Sequence, residues 1–170
     1  MKKILFMVLV LVSTAAAAKD WSIVPYNIDG NHLGYVVATT ANNSNSSILI
    51  IALNDGSTFF YIEASGRKVE PSQVRVVIDG EKAGGDVGKL IHSPVDGLWS
   101  INEDMLSIMV WLCSVTDKYE LIYPGNKKDV FDFTGFRKLL YSDTRLVNLR
   151  SEIEVTQAKV EQHYEESQSQ

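Results

Sequence analysis

The side chain best suited to covalent chemistry is the thiol of Cys113, the single cysteine of the chain. A nucleophilic thiol needs a neighbouring base and a setting that favours the thiolate. Cys113 instead follows Val110-Trp111-Leu112, an apolar run that predicts a buried, inert group, and no base stands in recognisable context. It has no partner for an intramolecular disulfide, so stability must come from packing. The three histidines, His32, His92 and His163, are widely separated and form no short ligand pair. A zinc site needs three or four ligands converging at about 2.0–2.3 Å. Bringing His32 and His92 to a carboxylate such as Asp79 or Asp96 would require long-range assembly, so isolated histidines are expected.

Other candidate motifs fail on spacing. Asn27, Asp29 and Asn31 hint at a calcium loop, but Gly30 falls at the fourth position rather than the sixth and Ala38 stands where a bidentate Glu belongs. Gly80 to Gly88 with Lys89 imitates a phosphate loop, yet Ala83 replaces its leading Gly and Leu90 its metal-binding hydroxyl. There is no G-x-S-x-G elbow. Glu103-Asp104 suits a helix N-terminus, where negative charge meets the positive end of the dipole. The sequons at Asn42 and Asn45 read as a polar loop. No catalytic residue, cofactor or metal is expected.

The elements that would position any site are mostly strands. Ser47 to Leu53 and Ser57 to Glu63 are β-branched and aromatic runs around Asn54-Asp55-Gly56, a strong hairpin signal. Asp-Gly recurs at Asp29-Gly30, Asp79-Gly80 and Asp96-Gly97, which predicts an antiparallel meander rather than βαβ units. Trp21 to Val24 should pair with His32 to Thr40 around Asn27 to Asn31. Gln73 to Asp79, Lys118 to Tyr123 and Val130 to Phe133 read as further strands. Ser100 with Glu103 fits a capping box for a helix from Glu103 to Ser114, the alternative being a core strand centred on Ile108 to Leu112. Thr134 is placed to cap a short helix through Leu140. In Phe59-Phe60-Tyr61 at least one ring must face the opposite side of the sheet, a candidate contact point.

From Ser142 the chain loses Gly and Pro and carries Leu146, Leu149, Ile153 and Val160 at 3/4 spacing. This is an amphipathic helix capped by Ser142 or Asp143, with a polar tail from Glu165 to Gln170. Its stripe either docks on the domain or projects to pair with a partner helix or a second copy of the chain, which would make a homo-oligomer.

At the other end, Lys2 and Lys3 precede an apolar run, Ile4 to Val12, followed by Ser13, Thr14 and Ala15 to Ala18. That is the layout of a cleavable bacterial-type signal peptide, too short to span a bilayer, so no stable membrane anchor is expected after cleavage. About 150 residues then remain, enough for one domain: 19–141 as a β-rich body and 142–170 as helix and tail. With 45% hydrophobic and 22% charged residues the chain is an ordinary globular one. Its net charge is −5; without the two leader lysines, 14 basic residues face 21 acidic ones, a net −7. Such a balance repels phosphate backbones, which argues against nucleic acid.

An opening strand at Trp21, the run Val74-Arg75-Val76-Val77-Ile78-Asp79-Gly80, the apolar segment Met105 to Leu112 and the closing Phe131-Asp132-Phe133-Thr134-Gly135-Phe136-Arg137-Lys138-Leu139-Leu140 together resemble the invasion-associated locus B family of periplasmic proteins. The resemblance covers Trp21 to Tyr141. It implies a β-sandwich-like periplasmic domain without known catalysis and transfers no functional residue. The expectation is therefore a mainly β fold, an antiparallel β-sandwich-like domain with one or two packed helices and a C-terminal amphipathic helix. Its function would be non-enzymatic binding of another protein in the cell envelope, in the periplasm or secreted. A secreted inhibitor or an immunity or exclusion factor against a cell-wall enzyme, toxin or phage is the second reading, and a hydrolase with a site gathered from distant residues the third.

Overall fold

The computed structural model describes residues 20–168, and the leader read at residues 1–18 lies outside them. The first half of the chain folds as consecutive antiparallel strands: β1 (Ser22–Ile28), β2 (Asn31–Thr40), β3 (Ser47–Leu53) and β4 (Thr58–Glu63). The first turn is tighter than expected. β1 runs on to Ile28, leaving only Asp29-Gly30, both at positive φ (50° and 81°), the backbone that a two-residue hairpin turn demands.

The remaining strands are β5 (Arg75–Ile78), β6 (Glu81–Lys82), β7 (Ile91–His92), β8 (Trp99–Ser100), β9 (Lys118–Ile122) and β10 (Lys128–Asp132). They complete a six-stranded sheet of order β1-β2-β3-β4-β8-β7 and form a four-stranded sheet of order β10-β9-β5-β6, every pairing antiparallel. Among the described residues three α-helices accompany the sheets: α1 (Leu106–Val115), α2 (Thr134–Ser142) and α3 (Val147–Gln168). The antiparallel, sandwich-like plan with packed helices is thus the observed one, and Ile108 to Leu112 is helix rather than strand. Among the described residues no helix is long and apolar enough to cross a membrane.

Two caps differ from expectation. Ser100 belongs to β8 and its hydroxyl donates to the Phe60 carbonyl (2.7 Å), while Asn102 Oδ1 accepts from Asp104 N and opens a 3-10 turn at Glu103–Met105 ahead of α1. Asp132 holds the start of α2, its Oδ1 accepting from both the backbone N and the hydroxyl of Thr134. Asp143, as expected, opens the last helical segment by accepting from Arg145 N. The contacts with Arg145 hold the Asp143 carboxyl down at about 2.

The main core lies between the sheets. Val37, Ile48, Ile50, Phe60 and Ile62 face inward from the large sheet, and Val74, Val76, Tyr119, Leu121 and Phe131 from the small one. Met109, Val110 and Cys113 of α1, Phe136 and Leu140 of α2, and Leu149 and Ile153 of α3 fill the same space. Each such side chain contributes roughly 1.5–3 kcal/mol on burial. Trp21 closes one end: its indole N–H donates to the Asp132 carbonyl (2.7 Å) and its ring packs on Phe133 and Phe136. Gly135 makes this possible, since a Cβ there would stand 2.8 Å from Trp21 Cδ1.

Candidate functional site

Three surfaces are built well enough to act. The first begins at Asp129, which has the same strand parity as inward-facing Phe131 and is therefore carried into the interior. A carboxylate there needs compensation. It accepts hydrogen bonds from Ser46 Oγ (2.5 Å), Tyr123 Oη (2.6 Å) and Arg67 Nη2 (2.7 Å). Burial pushes the Asp129 carboxyl up, but these bonds outweigh it and leave it below its ordinary value. The Arg67 guanidinium also lies 4.6 Å over the Tyr123 ring. Four chain segments converge on this one charge.

Arg67 in turn forms part of the wall of a cleft of about 530 Å³, with Lys68, Gln73, His92 and Trp99 around it. His92 Nε2 and Glu70 Oε2 meet at 2.8 Å on the rim, both exposed. Asp129 balances Arg67 and Glu70 stands beside His92, so Lys68 is the lining cation without an opposing acid beside it in these contacts. The cleft is polar and mildly basic. Among the lining residues neither a thiol nor a hydroxyl joins the His92–Glu70 pair.

The second surface is the outer face of the six-stranded sheet. The strand register sets Val24, Val36, Ile51 and Phe59 in one cross-strand row and Ser22, Ala38, Leu49 and Tyr61 in the next. Tyr26, Val36, Ala38, Leu49, Ile51 and Leu98 form a hydrophobic cluster separate from the main core. Phe59 and Tyr61 stack at 6.2 Å on this face while Phe60 points into the main core, as the alternation of a strand requires. Thr40, Ser47 and Glu63 make its polar end, where burial raises the Glu63 carboxyl.

The third is the C-terminal helix. Leu146, Leu149 and Ile153 are at most 2% exposed and belong to the main core, and Val160 is half-buried further along, so most of the predicted stripe is occupied by this chain's own domain. Glu152 fastens the helix by accepting from Thr58 of β4 and Ser107 of α1. Val147, Val155 and Tyr164 are its exposed large hydrophobics.

Cys113 is fully buried, and burial drives its thiol far above the ordinary value, away from the thiolate. His32 bonds Asn27 and His92 bonds Glu70, so neither meets Asp79 or Asp96 in these contacts. Asp79 instead accepts from the backbone N–H groups of Asp117 and Lys118. Among the described residues no group of three His, Cys, Asp or Glu side chains could hold a metal ion. Sequence reasoning missed Asp129. Starting β10 at Lys128 instead of Val130 would have flagged a carboxylate at an inward position in need of a cation. Comparison with family models, curated proteins and solved structures finds no match.

Proposed function

We propose that this chain is an exported, non-enzymatic binding protein that recognises another protein of the cell envelope through the outer face of its six-stranded sheet. One observation carries the reading: β1 to β4 bear apolar side chains on both faces, in the rows Val24–Val36–Ile51–Phe59 and Ala38–Leu49–Tyr61. An antiparallel sheet with one face on the core and the other in water alternates apolar with polar residues. Most of this second apolar face is itself buried, but Phe59 is 37% exposed, and an exposed aromatic beside Tyr61 marks the accessible part of the face as a contact point. The leader pattern at residues 1–18 supports export to the periplasm or beyond, and the resemblance to the invasion-associated locus B family points the same way.

The test is affinity capture from envelope extract with the processed chain, compared across Phe59→Glu, Tyr61→Glu and Lys68→Glu, with folding checked by circular dichroism. The two face variants are expected to lose at least 90% of the captured partner and the cleft variant to keep it. Loss with Lys68→Glu alone would move recognition to the cleft. A second reading, an inhibitor or immunity factor, rests on the net −7 of the processed chain, since an acidic surface suits the cationic cleft of an enzyme or toxin. A salt-dependent association rate with the captured partner distinguishes it.

A further inference from the structure

The outer face of the four-stranded sheet is charged where that of the six-stranded sheet is apolar. Val74, Val76 and Leu121 face the core, so by strand alternation Arg75 and Val77 face out. The register pairs Val77 with Lys82 on one side and Glu120 on the other, which puts both charged residues on this same face. Glu120 is held by Lys118 and Lys128, at 3.2 and 2.9 Å. Arg75 and Lys82, diagonal neighbours across β5 and β6, have no acidic partner among the described residues. In a chain with 21 acidic and 16 basic residues, this is a local excess of positive charge against the overall balance.

Past β6 the chain closes a loop beside these cations. Ala83 N donates to the Val76 carbonyl (3.0 Å), and Gly88 lies so near that a Cβ there would stand 2.4 Å from the Ala83 carbonyl oxygen. A Cβ at Gly84 or Gly85 would meet nothing within 4 Å, so that stretch of wall is bare backbone bordering open space. The result is a cavity of about 510 Å³, within the roughly 300–1,000 Å³ of small-molecule sites. Arg75, Lys82 and Lys89 line it together with Ser72 and Gln73, and none of its lining residues is acidic. Asp86 meets Lys89 at 2.8 Å from outside that lining.

We propose that this cavity binds a small phosphomonoester, with Arg75 and Lys82 holding the phosphate and Lys89 at its margin. A guanidinium takes two phosphate oxygens in parallel hydrogen bonds, and an ammonium acts on them as a point charge. The Ser72 hydroxyl and the Gln73 amide add neutral donors. The volume leaves room beyond the phosphate for a small organic body against Val74, Val76 and Ala83. The net charge of −5 repels a long phosphate polymer, whereas a single phosphate inside the cavity meets mainly the cations within a Debye length of about 8 Å. The site lies outside the sheet face assigned to protein recognition and stands whether or not that face binds a partner.

The test is an NMR titration of the backbone amides of the full chain with glycerol 3-phosphate, inorganic phosphate and glycerol at constant ionic strength. Both phosphates are expected to saturate, with shifts centred on residues 72–76 and 82–89, glycerol 3-phosphate being the tighter, and glycerol is expected to shift nothing. Arg75→Gln and Lys82→Gln should each weaken glycerol 3-phosphate about fivefold or more, and Lys89→Gln about twofold, since Asp86 already holds that ammonium. Lys159→Gln, which removes an exposed cation of α3, should change nothing. All four side chains are exposed, and the spread of amide signals reports that each variant is folded. No saturable shift, shifts centred elsewhere, binding of inorganic phosphate without glycerol 3-phosphate, or equal weakening by Lys159→Gln and Arg75→Gln would overturn the proposal. Co-sedimentation with phosphatidylcholine vesicles, with and without phosphatidate, tells the source of the ester. Phosphatidate-dependent binding that Arg75→Gln abolishes assigns a lipid headgroup, and glycerol 3-phosphate binding without vesicle binding assigns a soluble ester.

Discussion

Tyr119 and Tyr123 project into the same core from the β9 segment, four residues apart, yet their hydroxyls meet opposite fates. Around Tyr119 the core is apolar: its ring stacks on Phe133 at 5.4 Å and meets Phe60 and Phe131, and its fully buried hydroxyl has no hydrogen-bond partner. Around Tyr123 the core has a polar margin, where the hydroxyl donates to Asp129 and the ring carries Arg67. An orphaned buried hydroxyl costs about 1–3 kcal/mol, whereas one that donates to a charged acceptor contributes about 1.5–3. The first tyrosine is kept for its ring, the second for its oxygen.

The largest test of this contrast removes the charge. Asp129→Ala leaves Arg67, Tyr123 and Ser46 without their common acceptor and is expected to destabilise the chain by about 3–5 kcal/mol, read from urea unfolding. The same carboxylate predicts an acid limit. Its folded value is depressed, so its contribution is complete above the unfolded value of about 3.9 and disappears as pH falls through the folded one. Between pH 5 and pH 2 the wild type should lose stability more steeply than Asp129→Asn, and parallel curves would place the acid sensitivity elsewhere.

Gly135→Ala probes how tightly the apolar side is closed. The added methyl meets Trp21, and a loss of about 1–3 kcal/mol is expected, with a change in tryptophan fluorescence reporting the displaced ring. Smaller and more pointed is the tyrosine pair. Tyr123→Phe should cost about 1–2 kcal/mol, because Asp129 loses a donor. Tyr119→Phe should be neutral or stabilise by up to about 1 kcal/mol, because it deletes a hydroxyl that bonds nothing. Equal effects from the two substitutions would erase the distinction between the two halves of the core.

The hairpins were legible because Asp-Gly turns and β-branched runs act locally: Asp29-Gly30, Asp55-Gly56 and Asp79-Gly80 each sit between paired strands. The run Ser47-Ile-Leu-Ile-Ile-Ala-Leu53 lacks any alternation, and this corresponds to a strand with apolar residues on both faces. Caps were only half legible, since Ser, Thr, Asn and Asp compete for the same role and an offset of two residues separates Thr134 from Asp132 as the effective acceptor. The cluster around Asp129 was not legible. Its four members come from the β2–β3 loop, the segment after β4, the end of β9 and β10, and each reads alone as an ordinary polar surface residue. The terminal stripe Leu146, Leu149, Ile153 was legible as an amphipathic face, but periodicity does not say whether such a face meets its own domain or another.

The hydrogen bond from Trp21 to Asp132 spans 111 residues of chain. For a polypeptide made from its N-terminus, this clasp has to wait. Trp21 emerges first, while the carbonyl and the rings of Phe133 and Phe136 that receive it arrive only when about four-fifths of the sequence has been made. Hairpins can form on the way, but the core has no lid at that end until then, so final packing follows synthesis of nearly the whole domain.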